Sequence, residues 1–242
     1  MKIFRKLTSA VLVGALLTAV PISTFAKGPA KKVIDYVALG DSLAAGMTPA
    51  GGMDLGYPDY LTNRFEQSQY TVDFKNFGFP GYNSTNLATD VLTRADVQTK
   101  IKEAEFITID IGANDLLPAI TDQSKIPVAL GTVAVNLQTI LATIDQLNPT
   151  VKVYVMGYYN PFPYLPQAQQ AALLPLLATF NGLIEARTIA NGDTFVETDT
   201  IIAKGYQTYL PNPLNIHLSK EGYQLIAKEF WKNIDKSKNE VR

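Results

Sequence analysis

From residue 33 onward the chain alternates between two hydrophobic patterns. Short runs rich in β-branched and aromatic residues, at 33–39, 72–77, 106–111, 151–156 and 194–197, read as strands. Between them, apolar residues recur at helical spacing over 57–68, 85–103, 128–147, 167–190 and 219–234. Ser219, opening Ser-Lys-Glu-Gly, is a helix N-cap by type. Strands alternating with helices predict a parallel sheet with helices on both faces. No internal repeat and no Gly/Ser or charged linker divides residues 27–242, so they are expected to form one α/β domain.

The first 26 residues follow a different pattern. Lys2, Arg5 and Lys6 precede an uncharged stretch from Leu7 to Ala26, broken at Pro21 and closed by Thr24-Phe25-Ala26. This is the layout of a secretory signal cleaved after residue 26, with a retained membrane anchor as the alternative. No later segment is expected to span a membrane. The expectation is a secreted or cell-wall-associated monomer.

Composition narrows the chemistry. With 47% hydrophobic and 18% charged residues, the chain is neither a disordered tail nor a fibrous repeat. Its 21 basic and 22 acidic residues leave no electropositive footprint, so nucleic acid is not an expected partner. It has no cysteine and a single histidine, His217. Cysteine nucleophiles, thiolate metal sites and mechanisms needing two imidazoles are thereby excluded. No Gly-x-Ser-x-Gly elbow, dinucleotide fingerprint or phosphate loop is present, so α/β-hydrolase, dinucleotide and nucleotide chemistry lack support, while an oxygen-ligand calcium site stays open.

In an open parallel sheet, ligands bind beyond the carboxyl ends of the strands. The residues placed there are Gly40-Asp41-Ser42-Leu43, then Gly78-Phe79-Pro80-Gly81-Tyr82-Asn83, Gly112-Ala113-Asn114-Asp115 and Gly157-Tyr158-Tyr159-Asn160-Pro161. Taken singly, Ser42 is more often a helix cap, Gly81 a turn and His217 an ordinary core or surface histidine. Their joint placement on one sheet edge suits acyl transfer. A serine hydroxyl needs a base, and His217 is the only imidazole available to Ser42. Backbone N–H groups of Ser42 and Gly81, with the Asn114 amide, are candidate oxyanion donors.

These blocks, in this order from about residue 33 to 223, resemble the SGNH (GDSL) hydrolase family, in its exported bacterial lipase/esterase-like branch. The resemblance implies a flavodoxin-like three-layer α/β/α sandwich with a five-stranded parallel sheet. It also implies a carboxylic ester hydrolase that uses no metal or organic cofactor, with Ser42 as nucleophile, His217 as general base and Ser42, Gly81 and Asn114 as the oxyanion hole. The substrate would be a small ester or lipid. One position departs from the family pattern. The acid expected three residues before the histidine is replaced by Leu214, and Asn215 carries no charge. The options are a Ser–His dyad helped by a backbone carbonyl or an amide, or a relocated acid such as Asp199, with Glu221 also near in sequence.

Tyr158, Tyr159 and Phe162 are expected to line the substrate site, with Tyr57, Tyr60 and Tyr82 on its other side, and Gly51-Gly52 suggests a mobile flap. The alternatives are a carbohydrate O-acetylesterase built on the same site and a non-catalytic binding module that has lost the acid.

Overall fold

Five strands form one parallel sheet: β1 (Val33–Gly40), β2 (Thr71–Gly78), β3 (Phe106–Asp110), β4 (Lys152–Met156) and β5 (Thr194–Val196), in the order β2-β1-β3-β4-β5. This computed structural model describes residues 32–239, so the expected signal segment lies outside the described residues. Strands β1 and β3 are covered on both sides and read as nearly continuous apolar runs. Edge strand β2 instead exposes Thr71, Asp73 and Lys75 at alternate positions.

Among the described residues ten helices occur in chain order: α1 (Ser42–Ala45), α2 (Tyr57–Gln67), α3 (Ser84–Thr93), α4 (Ala95–Glu103), α5 (Ala113–Leu116), α6 (Ile126–Leu147), α7 (Gln167–Ala190), α8 (Asp199–Ala203), α9 (Tyr206–Tyr209) and α10 (Lys220–Asn239). Two short 3-10 turns, Leu117–Thr121 and Gln123–Lys125, join α5 to α6. Helices α2 and α10 pack together on one face of the sheet, while α3, α4, α6 and α7 cover the other. Phe65 of α2 anchors the first layer, with its ring 6.0 Å from Tyr36, 5.3 Å from Phe106 and 5.2 Å from Trp231. Tyr57 stacks on Phe230 at 4.8 Å and joins α2 to α10.

Two expectations change. The single helix anticipated over 85–103 is two, because Arg94 adopts an extended ψ of 116°. The Gln98 amide caps the freed carbonyls of Val91 and Leu92 at 3.1 and 2.9 Å, satisfying groups that the break would otherwise strand. The run Gln123–Leu147 is also long and apolar enough, by length and composition, to cross a membrane, against the expectation that no later segment is. In this fold its Val133, Leu137, Ile140, Leu141 and Ile144 are buried in the core.

The order 2-1-3-4-5 reverses between β1 and β3, and this switch point is where a doubly wound sheet opens a crevice. Ser42 follows β1 and Asn114 follows β3, so the topology places both at the mouth of that crevice.

Candidate active site

Ser42 lies at the first position of a helix only four residues long. Asp41 caps this helix by accepting the Leu43 N–H at 2.9 Å, and Gly46 ends it at φ +82°. Only glycine suits position 46: the conformation is left-handed, and a Cβ there would lie 2.0 Å from the Asp54 carbonyl. The turn is therefore rigid on both sides of the serine.

His217 reaches Ser42 from the loop before α10, with Nε2 2.8 Å from Oγ. Its other ring nitrogen, Nδ1, is 2.6 Å from Oδ1 of Asn215, and the same Oδ1 accepts the His217 backbone N–H at 2.9 Å. The backbone bond settles the protonation pattern. A main-chain N–H can only donate, so the oxygen end of the Asn215 amide must face it. That oxygen can only accept, so Nδ1 carries the ring proton. Nε2 is then left with a lone pair directed at the Ser42 hydroxyl. Burial lowers the His217 pKa below its ordinary value of 6.5, which favours the same neutral form.

Asp199 is not the residue bonded to the His217 ring. The Nδ1 position is filled by Asn215, and Asp199 Oδ1 instead accepts the Asn160 N–H at 3.3 Å. An uncharged amide stands where an acid was sought. This is the amide-assisted dyad that the sequence left as one option, with the Asn215 side chain folding back on the histidine's own backbone.

The second and third loops are tied to each other. Asn114 Nδ2 donates to the Tyr82 carbonyl at 2.8 Å. Asp115 accepts the Ser84 N–H at 2.8 Å and its hydroxyl at 2.7 Å. An amide nitrogen carries two N–H groups, so the Tyr82 bond orients Asn114 and leaves its second N–H to donate elsewhere. Gly81, adjacent to Tyr82, sits at φ +83° in the left-handed region, where a side chain would be strained.

Beneath the serine lies an acidic pair that the sequence reading did not single out. Asp41 and Asp110 are both fully buried. Asp110 Oδ2 accepts the Asp41 and Ala44 N–H groups at 3.3 and 3.2 Å, and Oδ1 accepts the Tyr57 hydroxyl at 2.7 Å. Asp41 Oδ2 accepts the Tyr158 hydroxyl at 2.8 Å. None of these partners is cationic, and two adjacent buried carboxylates without a cation do not both ionise. Burial, followed by the neighbouring Asp41 charge, pushes Asp110 well above the usual carboxylate range, and burial raises Asp41 too. Gly40 makes room for this arrangement, since a Cβ there would lie 2.2 Å from Asp110 Oδ1.

Ser42 and His217 open onto a cleft of about 740 Å³ of empty space, including open solvent. Asn114, Tyr158, Tyr159 and Phe162 line it, and most of the remaining wall is apolar, including Leu117, Leu173, Leu177 and Phe180. Tyr82 is outside this wall, with its ring 4.8 Å from Phe79. Tyr57 is a buried partner of Asp110, and Tyr60 borders a separate groove between α2 and α10, so neither faces the cleft. The expected flap at Gly51-Gly52 is a tied turn. Thr48 N–H donates to the Gly52 carbonyl at 2.8 Å, a bridge joins Met47 to Met53, and the Asn212 amide holds the Pro49 carbonyl at 2.8 Å. Among the described residues, no group of three or more His, Asp or Glu side chains is placed to hold a metal.

Comparison with known proteins gives a consistent picture. Across 98% of its length the chain is 25% identical to the uncharacterized protein YpmR of Bacillus subtilis (strain 168), covering 97% of that protein. Its fold is similar to that of the lipase Lip_vut3 from a goat rumen metagenome (TM-score 0.71, 22% identity, 82% of this chain and 96% of that one). It is also similar to Axe2, an acetylxylan esterase from Geobacillus stearothermophilus (TM-score 0.65, 16% identity, 85% and 95%). A family model for the GDSL-like lipase/acylhydrolase family matches residues 38–225, spanning all four loops of the crevice. This chain therefore belongs to the GDSL-like lipase/acylhydrolase family and is an ester-bond hydrolase.

Proposed function

We propose that the chain hydrolyses carboxylic esters through an acyl-enzyme on Ser42, with His217 as general base and Asn215 in the place of the usual acid. The observation that carries this reading is the relay Ser42 Oγ–His217 Nε2 at 2.8 Å and His217 Nδ1–Asn215 Oδ1 at 2.6 Å, set at the mouth of an apolar cleft. In this mechanism Ser42 Oγ attacks the ester carbonyl while its proton passes to Nε2. The tetrahedral oxyanion is held by the N–H groups of Ser42 and Gly81 and by the second N–H of Asn114. His217 then returns the proton to the leaving alcohol, and water releases the acyl group by the same steps reversed.

The preferred substrate is an ester with an apolar acyl group, because the cleft wall offers mostly hydrocarbon. A second reading, O-acetyl ester cleavage on a glycan, draws support from the fold likeness to Axe2. Hydrolysis of p-nitrophenyl esters from acetate to palmitate by residues 27–242, beside Ser42→Ala, tests the mechanism and separates the two. Turnover lost in Ser42→Ala supports the serine mechanism, and turnover retained refutes it. An optimum at acetate favours the glycan reading. We also propose that the protein acts outside the cell, on the strength of the charged lead, apolar stretch and small-residue end of residues 1–26. Recovery from culture medium with Lys27 as the first residue is the expected result.

A further inference from the structure

Two consecutive residues in the loop after β4 each hold one half of the Ser42–His217 pair. Tyr158 donates its hydroxyl to Asp41 Oδ2 at 2.8 Å, and Asp41 caps the short helix that carries Ser42. Tyr159 donates its hydroxyl to the Ile216 carbonyl at 2.8 Å, one residue before His217. Both tyrosines are buried, and burial pushes both hydroxyls well above the usual tyrosine range, so they stay neutral donors. Their rings stand in the cleft wall, while their hydroxyls are spent on the protein.

The loop that bears the two rings is itself fixed. Asn181 of α7 accepts the Tyr158 N–H at 2.8 Å and donates to the Tyr158 carbonyl at 2.7 Å, which engages both polar groups of that residue's main chain. The Gly157 N–H donates to the Val196 carbonyl at 2.9 Å, and the Tyr158 ring packs 5.5 Å from Phe180. The histidine's loop is less enclosed, with Pro213 and Leu214 exposed. Asn215 ties His217 to a residue of the same loop, so that contact sets the ring's tautomer but not the loop's place against Ser42. The Tyr159 bond joins the loop to another element at the residue next to the histidine. Further ties, from Asn212 to the Pro49 carbonyl and from the Ser219 N–H to the Tyr209 carbonyl, lie farther from it along the chain.

We propose that Tyr158 and Tyr159 form a positioning brace, in which two hydroxyls on one fixed stretch of main chain set the distance and direction between Ser42 Oγ and His217 Nε2. The proposal rests on the Ser42 mechanism above. Proton transfer needs the two atoms within hydrogen-bond reach and aligned, and small displacements of reacting groups cost rate steeply. Both half-reactions use the same imidazole, so a slack brace lowers kcat. The rings that face the substrate are untouched when only a hydroxyl is lost, so KM holds. A brace fails when either end is released, so releasing the second end costs little more.

The test measures kcat and KM for p-nitrophenyl butyrate, with Tm alongside, in the wild type, Tyr158→Phe, Tyr159→Phe, the double variant and Tyr36→Phe. Tyr36 is the control for a lost buried hydroxyl, since its 2.8 Å bond goes to Thr108 Oγ1 and to neither Asp41 nor the histidine's loop. Each single variant at 158 and 159 is expected to lower kcat by about tenfold and to keep KM within about a factor of two. The double variant is expected to match the weaker single variant, not the product of the two, which is about a hundredfold. Tyr36→Phe is expected to lower Tm and keep the wild-type kcat. An unchanged kcat in either single variant overturns the proposal, as does a loss carried in KM, a double variant at the product, or an equal kcat loss in Tyr36→Phe. Each of these results leaves the Ser42 mechanism standing if Ser42→Ala remains inactive on butyrate. Turnover by Ser42→Ala overturns the mechanism itself.

Discussion

Replacing Asn215 with aspartate puts a charge where the structure holds a neutral amide. The side-chain oxygen at this position contacts His217 Nδ1 at 2.6 Å and the His217 N–H at 2.9 Å, and a carboxylate can keep both bonds. The change therefore isolates charge from geometry. An opposite charge in contact raises a histidine pKa by about 1–3 units, and solvent reaching this half-buried ring places the effect at the lower end. One unit is about 1.4 kcal/mol, or tenfold in the imidazolium population. In the wild type, burial holds His217 below 6.5 and the base works only when neutral, so activity falls as pH drops through that lowered value. In Asn215→Asp the acid limb of kcat/KM is expected about one unit higher. Well above the limb the rate is expected to rise by up to about tenfold, because the transition state contains an imidazolium. Asn215→Ala leaves the Nδ1 proton without its acceptor and frees the tautomer, at a cost of about 1–3 kcal/mol in transition-state stabilisation. The assay is kcat/KM for a soluble ester across the acid and neutral range, with circular dichroism to confirm folding. An unmoved acid limb in folded Asn215→Asp, or full activity in Asn215→Ala, would refute the reasoning.

Three further outcomes follow from the same structure. Asp199→Asn is expected to keep kcat/KM within about a factor of two, since Asp199 bonds the Asn160 backbone and not the imidazole; loss of turnover in a folded variant would restore it as the acid. With its pKa raised by burial and the Asp41 charge, Asp110 is expected to be protonated, so Asp110→Asn is expected to lie within about 1 kcal/mol of wild-type stability, while Asp110→Ala strands the Tyr57 hydroxyl and two N–H groups and costs about 3–5 kcal/mol. Denaturant unfolding checks the contrast, and the carboxylic-acid carbonyl band in the infrared at neutral pH should vanish in Asp110→Asn. Burial pushes Asp193 up to about 6, although the Asn191 amide opposes the shift. The folded state thus binds the extra proton between the unfolded value of about 3.9 and the folded one, and stability falls as pH rises through that window. After allowance for partial exposure, Asp193→Asn is expected to add about 1–2 kcal/mol at neutral pH and nothing in acid, read as Tm against pH.

The strand–helix alternation, the parallel sheet and the loops that meet at its switch point were legible in the chain itself. Period-two and helical spacing are local properties, and the right-handed crossover rule then leaves few ways to assemble them. The pairing of Ser42 with His217 was legible by inventory, since a single imidazole left no other choice. Tertiary structure decided everything that depends on two distant segments sharing one space. Asn215 became the partner of Nδ1 because its loop folds back on the His217 backbone, a contact with no spacing rule behind it. Asp110 and Tyr57 meet beneath Ser42 because the fold brings the end of β3 and the start of α2 to the end of β1, and burial together with the Asp41 charge raises the Asp110 pKa. Tyr57, Tyr60 and Tyr82 carry the residue type expected at an apolar site and yet stand outside the cleft. Residue type is local, whereas the direction a side chain faces is set by the packing of the whole sheet.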